Sequence, residues 1–502
     1  MAEDPALDNL LNSLGSVTDG ALFNISASLV IKGLKFILVL LLARGLGVQL
    51  YGVFTLGEKI TRSLIPFGRL GTALSTIRYI AANRDEPDFQ NEIIGLSYVT
   101  TFVFSSCIAL LVFVFAAQIN TYTLNHQLFP ITMRTLAVAL PFLSMVGITA
   151  SGFKAIEQPA FQAGLNIAKP LIQLVLIGIA LFIGYSLIGV TVAFAISCLL
   201  AFIFSIVLLL KFSNIRPKWG LDRDSKIEFF NYSVPLTISK AGNILTRRLD
   251  IFMVGIFLSA SDVAVYNIAL VLGSLVAIPL AGFNQIFPPV ASRLYSNNNI
   301  SILQTVYSLV TRWAITASLL VSVPLLAYPE ELLQIFGNEF QEGIAVVSII
   351  VIGQVINVSV GPSNDILIMT DHQYIVLLNN WTMGLLNFVL NYVLILEFGI
   401  VGAAVATAGV LGMINIARVL EVYYYEGLMP YSLKVIKPLI AFVLALVVMR
   451  TVGTQLSGAS LIFSGSVVGT IVFFGALYVF GIETRDKQFI RHYGDTVLER
   501  LY

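Results

Sequence analysis

Long apolar runs recur along the chain, each of the order of 20 residues that a membrane-crossing helix needs and each closed by charges, Gly, Pro or Asn. The pattern predicts helices over 20–44, 52–80, 93–118, 129–155, 160–183 and 187–211, then a polar linker from Phe212 to Lys226. Six more follow over 229–258, 262–290, 303–328, 342–369, 374–396 and 400–424, and a last pair over 432–450 and 459–481. The chain is therefore read as an all-α membrane protein of about fourteen transmembrane helices. Its opening, Met1 to Asp19, is acidic and lacks the basic region and cleavage site of a signal peptide, so the first helix is expected to stay in the mature protein.

Basic residues are unevenly shared between alternate connections, and that asymmetry sets the orientation. One side carries Arg84, Lys154, the cluster Lys211, Arg216, Lys218, Arg223 and Lys226, then Arg293 and Lys434, with Arg485, Lys487, Arg491 and Arg500 in the tail. The other carries Arg44 and Arg450 at helix ends and the acidic connection Tyr328 to Glu342. Both termini are placed in the cytoplasm, which requires an even number of crossings, in the plasma membrane.

The chain also repeats at a spacing of about 212 residues. Ile188 to Ala195 lines up with Val401 to Ala408, Asn166 with Asn379, and Leu46 to Phe54 with Leu258 to Tyr266; Pro279 lies one residue out of register with Pro66. An even number of helices separates the equivalents, so the two copies share polarity and should relate by a pseudo-two-fold along the membrane normal. The expected lobes are 1–220 (helices 1–6) and 221–430 (helices 7–12), with two additional helices and a cytoplasmic tail in 431–502. A ligand is expected between the lobes.

Composition removes other readings. With 57% of residues hydrophobic and 11% charged, little chain is left for a soluble catalytic domain. The 29 basic and 28 acidic residues nearly cancel, so no bulk positive face argues for nucleic acid. Cys107 and Cys198 lie in apolar runs, and His126, His372 and His492 are scattered, so no metal or cofactor is expected.

The informative residues are ions inside the apolar runs. Asn24, Ser28, Lys32 and Lys35 share one face of the first helix, and Glu58, Arg62 and Arg69 one face of the second, with Lys59 alongside and Pro66 as an expected kink. In the seventh, Lys240, Asn243, Arg247 and Asp250 recur at steps of three, four and three, with Arg248 adjacent. A Lys or Arg at the bilayer centre costs roughly 2.5–3.5 kcal/mol, so these stripes should line a watery interior. Glu58 with Arg62, and Asp250 with Arg247, also have the spacing of ordinary intrahelical pairs. Two acids cannot pair Lys32, Lys35, Lys59, Arg62, Arg69, Lys240, Arg247 and Arg248, and the excess calls for an anion. Lys169, before Pro170, faces either the same cavity or a headgroup. Asp365 and Asp371 read as solvated, Tyr423 to Tyr425 as an interfacial belt, and Gly68, Gly71, Gly402 and Ala406 as close helix packing.

Leu42-Ala43-Arg44-Gly45-Leu46-Gly47 with Tyr51-Gly52-Val53-Phe54 resembles the opening of the polysaccharide biosynthesis protein family, the Wzx-type oligosaccharide flippases. Gly68-Arg69-Leu70-Gly71 with Arg78-Tyr79-Ile80-Ala81 is similar to the end of that family's second helix. Asp250, Val254-Gly255, Tyr266-Asn267-Ile268-Ala269, Phe287-Pro288 and Ser292-Arg293-Leu294 resemble its seventh and eighth helices, and Phe398 to Ala404 its twelfth. The resemblance implies the superfamily of multidrug extruders, oligosaccharide flippases and lipid II flippases, in which two six-helix lobes rock around a central cavity.

It further implies a flippase, not an enzyme, that moves a polyprenyl-phosphate- or pyrophosphate-linked oligosaccharide from the cytoplasmic leaflet outward for surface polysaccharide or glycoprotein glycan assembly. The expected partners are that lipid-linked oligosaccharide, membrane lipids and glycan-assembly enzymes. Lys32, Lys35, Arg62, Arg69, Lys240 and Arg247 are its candidate substrate ligands, with Glu58 and Asp250 balancing charge or coupling transport. A cation-coupled multidrug extruder on the same fold is the alternative, and it should present acids where this first helix offers lysines. A membrane glycosyltransferase or polymerase would need catalytic acids or metal ligands beside long aqueous loops.

Overall fold

The computed structural model describes the backbone of residues 5–452 and 458–481, and the side chains of 27–237, 248–451, 458 and 460–481. Every regular element among them is helical: α1 (Pro5–Arg69), α2 (Thr72–Ala82), α3 (Pro87–Thr121), α4 (Phe129–Ala155), α5 (Pro159–Phe182), α6 (Leu187–Phe212), α7 (Arg223–Phe257), α8 (Ala260–Val276), α9 (Ile278–Ser296), α10 (Ile300–Ala327), α11 (Pro329–Gln334), α12 (Ile344–Ser359), α13 (Ser363–Met369), α14 (Gln373–Glu426), α15 (Ile436–Val452) and α16 (Gly458–Val479), with short 3-10 turns at Asn338–Gly343 and Leu433–Val435. Eight helices among the described residues are long and apolar enough to cross a membrane, nine if the bent pair α8 and α9 counts as one span.

Helix lies over each of the fourteen predicted stretches, and the differences are in the breaks. The first two stretches are two helices that meet at a non-helical Gly47 (φ 73°) inside α1, within the expected break between 44 and 52. The helical start of α1 at Pro5 precedes the apolar run, because hydropathy marks the part of a helix that meets lipid and not where its hydrogen bonds begin. Pro66 stays inside α1, and the chain breaks instead at Leu70 (φ 45°) and Gly71 (φ 71°). The eighth stretch bends by 51° between α8 and α9, where Pro279 lies in the first turn of α9 and brings no N–H. The tenth divides at Gly361 (φ 61°) and Pro362, between α12 and α13. The eleventh and twelfth are two helices that meet at a non-helical Gly399 (φ 57°) inside α14, at the expected break.

The chain clusters into two compact units. One comprises 24–267 with 391–400, and the seventh helix groups here with the first six. Its core joins Ile80, Ile93, Ile94, Tyr98, Ile148, Phe153, Leu165, Leu209 and Phe229 from α2 to α7. A buried hydroxyl network adds to it: Thr72 to Thr101 at 3.0 Å, Thr76 to Ser97 at 2.7 Å, Ser75 to Ser233 at 2.5 Å, and Tyr98 to Thr149 to Ser205 at 2.6 and 3.0 Å. Helix association in lipid gains little from the hydrophobic effect, so such contacts, each worth about 0.6 kcal/mol on average, fix which helices are neighbours.

Gly71 shows how close α2 approaches α7. Its φ lies in the left-handed region, and a Cβ there would run into the backbone carbonyl of Ser233. Gly71→Ala should therefore lower stability by about 2 kcal/mol or more, from backbone strain plus overpacking. Thermal unfolding of the purified protein in detergent reads this directly, and an unchanged transition would show that the α2–α7 contact is loose.

The linker is ordered. The N–H groups of Arg216 and Lys218 donate to the side-chain and backbone oxygens of Asn91 at 2.5 and 2.9 Å, and Lys218 Nζ donates to Asp88 at 2.6 Å. That ammonium holds the exposed Asp88 carboxyl below the usual carboxylate range. Asp222 then caps α7 by accepting from Asp224 and Ser225 N–H groups at 3.0 and 3.1 Å.

The other unit comprises 1–23, 268–390 and 401–502. One of its cores packs Phe287, Leu294, Tyr307 and Val310 against Ile366, Leu367 and Val422. Another seats the last two helices on α10, with Ile315, Leu319 and Val323 against Ala441, Ala445, Met449 and Phe473. Tyr328 Oη donates to the Met449 carbonyl at 2.5 Å across that seam.

Candidate functional site

The ions of the first unit converge on Glu58. Arg62 is hydrogen-bonded to it one turn further along α1, and Lys59 Nζ lies 3.6 Å from its second oxygen. All three are largely withdrawn from solvent, with side chains 15% (Glu58), 28% (Lys59) and 23% (Arg62) exposed. Arg248 on α7 also feels the charges of Glu58 and Arg62, and its Nη1 is buried with no hydrogen-bond partner among the described residues. The guanidinium of Arg62 lies 5.8 Å from the centre of the Phe194 ring on α6. The expected intrahelical pair thus exists, but several other cations share its single carboxylate.

Lys35 lies within the fields of Arg62, Glu58, Lys59 and Lys32, so the two arms of α1 on either side of Gly47 bring their charged faces together. Lys32 and Lys35 are both exposed. Asn24, Lys240 and Arg247 have side chains outside the described residues.

Lys169 on α5 completes the cluster. It is half-buried and feels Arg62, Arg69 and Lys35, with the Cys198 thiol nearby. Gln173, one turn further along α5, directs its amide to Cys198 Sγ at 3.7 Å. No ion-pair partner of Lys169 is found among the described residues. Lys169 is the one charged residue between Glu157 and Lys211, and that solitude inside apolar sequence was its signal.

Two predicted residues are held differently. Arg69 donates from Nε to the Ser144 carbonyl at 3.0 Å and from Nη2 to the Leu143 carbonyl at 3.1 Å, so its guanidinium is clamped on α4. Gly147 makes the notch for it, since a Cβ there would overlap the guanidinium. Arg69 still lies in the field felt by Lys169, at the edge of the cluster. Asp250 is buried and accepts from Tyr266 Oη at 2.9 Å and from the Ile251 N–H at 2.8 Å. Beside it Asn267 donates to Tyr51 Oη at 2.7 Å. Asp250 therefore ties α7 to α8 through Tyr266.

The described cluster joins Lys32, Lys35, Lys59, Arg62, Lys169 and Arg248, with Arg69 at its edge, and Glu58 is the carboxylate among them. Like charges so gathered in low dielectric repel strongly unless an anion enters. Ammonium and guanidinium groups that are not saturated by carboxylates supply charge-assisted donors to phosphate or acidic sugar oxygens. No group of three or more His, Cys, Asp or Glu residues able to hold a metal ion is found among the described residues.

The polysaccharide biosynthesis protein family model matches residues 17–295, and the MatE family model matches 235–393. A curated relative, the probable low-salt glycan biosynthesis flippase Agl15 of Haloferax volcanii, is 33% identical over 209 residues. That alignment covers 38% of this chain and 43% of the relative, so the match spans less than half of its length. Among solved structures, the lipid II flippase MurJ in an inward closed conformation superposes with a TM-score of 0.71 at 14% identity, over 91% of this chain and 98% of that one. An inward-facing multidrug resistance MATE family transporter of the MOP superfamily gives 0.67 at 14%, over 79% and 94%. A MOP superfamily transporter from Pyrococcus furiosus, whose binding pocket is described as of reversed polarity, gives 0.55 at 13%, over 85% and 99%. These likenesses establish the fold as that of the MOP transporters.

Proposed function

The chain belongs to the polysaccharide biosynthesis protein family, and on that premise we propose that it is a flippase for a polyprenyl-phosphate- or pyrophosphate-linked oligosaccharide. The observation that carries the reading is the gathering of Lys35, Arg62 and Lys169, with Glu58 the one carboxylate of the described cluster. Phosphate and any acidic sugars would meet these donors while the lipid chain stays in the bilayer. Lys32 extends the same set, with Arg69 at its edge, and Lys240 and Arg247, whose side chains lie outside the described residues, are proposed as further ligands from the sequence spacing alone. Glu58 limits how tightly an anion is held, so that release remains possible. The flippase named for Haloferax volcanii and the lipid II flippase with the same fold support the substrate class.

In this reading 1–220 and 221–430 act as the two lobes of an alternating-access transporter in the plasma membrane, with 431–502 adding two helices and a tail. The protein performs transport without bond chemistry and works beside the enzymes that assemble and use the glycan. Reconstitution in vesicles containing a fluorescent polyprenyl-pyrophosphate-linked oligosaccharide tests it. Protein-dependent movement to the opposite leaflet is the expected result, and its absence across glycans and carriers would end the proposal.

The MatE match and the multidrug transporter fold favour one second reading, a cation-coupled extruder. A pocket rich in Lys and Arg repels the cationic drugs such a protein would carry, so competition by organic cations in the same vesicles separates the two.

The orientation is testable on the linker. A cysteine replacing the exposed Trp219, in a chain whose Cys107 and Cys198 are serine, should react with a membrane-impermeant maleimide only after cells are opened. Labelling of intact cells would invert the proposed cytoplasmic placement of both termini.

A further inference from the structure

A second polar cluster lies where α2 meets the start of α7, just after the linker, and the cation cluster does not use it. Arg78 is exposed and rests on the Tyr232 ring of α7, 4.2 Å from its centre, with the Tyr79 ring 5.6 Å away. The two rings meet edge to face at 6.2 Å, and buried Phe229 supports Tyr79 at 5.8 Å. On the other side Tyr79 Oη donates to Glu228 Oε1 at 3.1 Å. Arg78 and Glu228 thus flank one tyrosine without pairing with each other, and Arg78 makes neither a hydrogen bond nor an ion pair among the described residues.

An exposed Arg and Glu this near usually relax into a salt bridge or wave freely in water. Here the guanidinium lies over the Tyr232 ring with none of its N–H donors used among the described residues, and the tyrosine hydroxyl donates to the carboxylate. The result is an unused donor fork and a carboxylate acceptor, set on either side of one tyrosine. A bare phosphate would meet the fork but be repelled by Glu228. A neutral sugar would satisfy Glu228 but leave the fork empty. A pyranose carrying an anionic substituent matches both, with its oxyanion on Arg78, a hydroxyl donating to Glu228 and its C–H face near the tyrosines.

We propose that Arg78, Tyr79, Glu228 and Tyr232 form a docking site for an acidic sugar of the glycan headgroup, on the cytoplasmic side, before the headgroup reaches the cation cluster. This rests on the flippase reading and adds that the cargo carries an anionic pyranose.

Saturation-transfer NMR on the full-length protein in nanodiscs, with D-glucuronate, D-glucose and inorganic phosphate as probes, tests the site. Glucuronate ring protons should be saturated, glucose far less, and Arg78→Gln should reduce the glucuronate signal about tenfold, the order lost with one charge-assisted bidentate contact. Arg78→Lys, which keeps the charge without the planar fork, should give an intermediate signal, and Glu228→Gln should weaken binding through loss of the hydroxyl acceptor. Arg134→Gln, which removes an exposed arginine set over the Phe113 ring and outside both clusters, should leave the signal unchanged. Equal saturation by glucose, displacement of glucuronate by equimolar phosphate, or an undiminished signal in Arg78→Gln would each overturn the proposal. Leaflet movement of a lipid-linked glycan without glucuronate binding would reject this site alone, whereas failure of that movement rejects the flippase reading itself.

Discussion

Replacing Lys169 with methionine is expected to slow movement of a lipid-linked oligosaccharide between leaflets by about tenfold or more while leaving the protein as stable as before, or more so. Lys169 lies in a helix that is otherwise without charge, feels three other cations and has no paired acid among the described residues. Holding such an ammonium in the membrane costs roughly 2.5–3.5 kcal/mol on insertion scales, partly relieved by water in the cluster. Methionine removes that cost and the repulsion from Arg62 and Arg69, and its length and flexibility fill the same space. Stability and function therefore move in opposite directions. If Lys169 donates to a phosphate oxygen during transport, its loss removes about 1.5–3 kcal/mol of charge-assisted bonding, or about 10- to 150-fold in rate at low substrate. Lys169→Arg should retain most of the rate. Unfolding curves and vesicle translocation on the same preparations check both halves. Normal transport by Lys169→Met would remove α5 from the substrate path, and a lower unfolding temperature would show that Lys169 has a structural partner.

That α5 belongs to the cluster was hard to read in the sequence for a definite reason. Lys32 with Lys35, and Glu58 with Arg62, announce themselves because charges recur at helical spacing, and a repeated stripe cannot be assigned to chance snorkelling. A single Lys has no period and leaves its direction open. The Arg69 clamp was invisible for another reason: its acceptors are the backbone carbonyls of Leu143 and Ser144, which no side-chain pattern marks. The Asp250 contact with Tyr266, across the turn between α7 and α8, was invisible because no helical period links the two residues, and the expected pair with Arg247 falls on a side chain outside the described residues. Helix positions were legible because a bilayer imposes length and apolarity. The breaks at Gly71 and Gly361 were less so, since they depend on backbone angles that several local sequences allow.

Reversing Arg62 to glutamate should have the largest effect of all, and reversing Glu58 with it should separate the two roles Arg62 plays. In Arg62→Glu two carboxylates one turn apart face each other where the native pair is largely withdrawn from solvent. Breaking a buried pair and leaving like charges costs about 3–5 kcal/mol, a large part of the stability of most domains, so abundance should fall sharply. The double variant Glu58→Arg with Arg62→Glu restores an intrahelical pair and the same net charge. It should recover abundance and unfolding temperature toward the parent. Transport should not recover, because the guanidinium has moved one turn along α1, away from the Phe194 face and Lys169, and a carboxylate now occupies the position facing them. An anion entering among Lys35, Lys169 and that introduced carboxylate would meet repulsion where it had met a fork of donors. If the double variant transported normally, Arg62 would be only the structural partner of Glu58, and the cluster would lose the residue on which its reading as an anion site most depends.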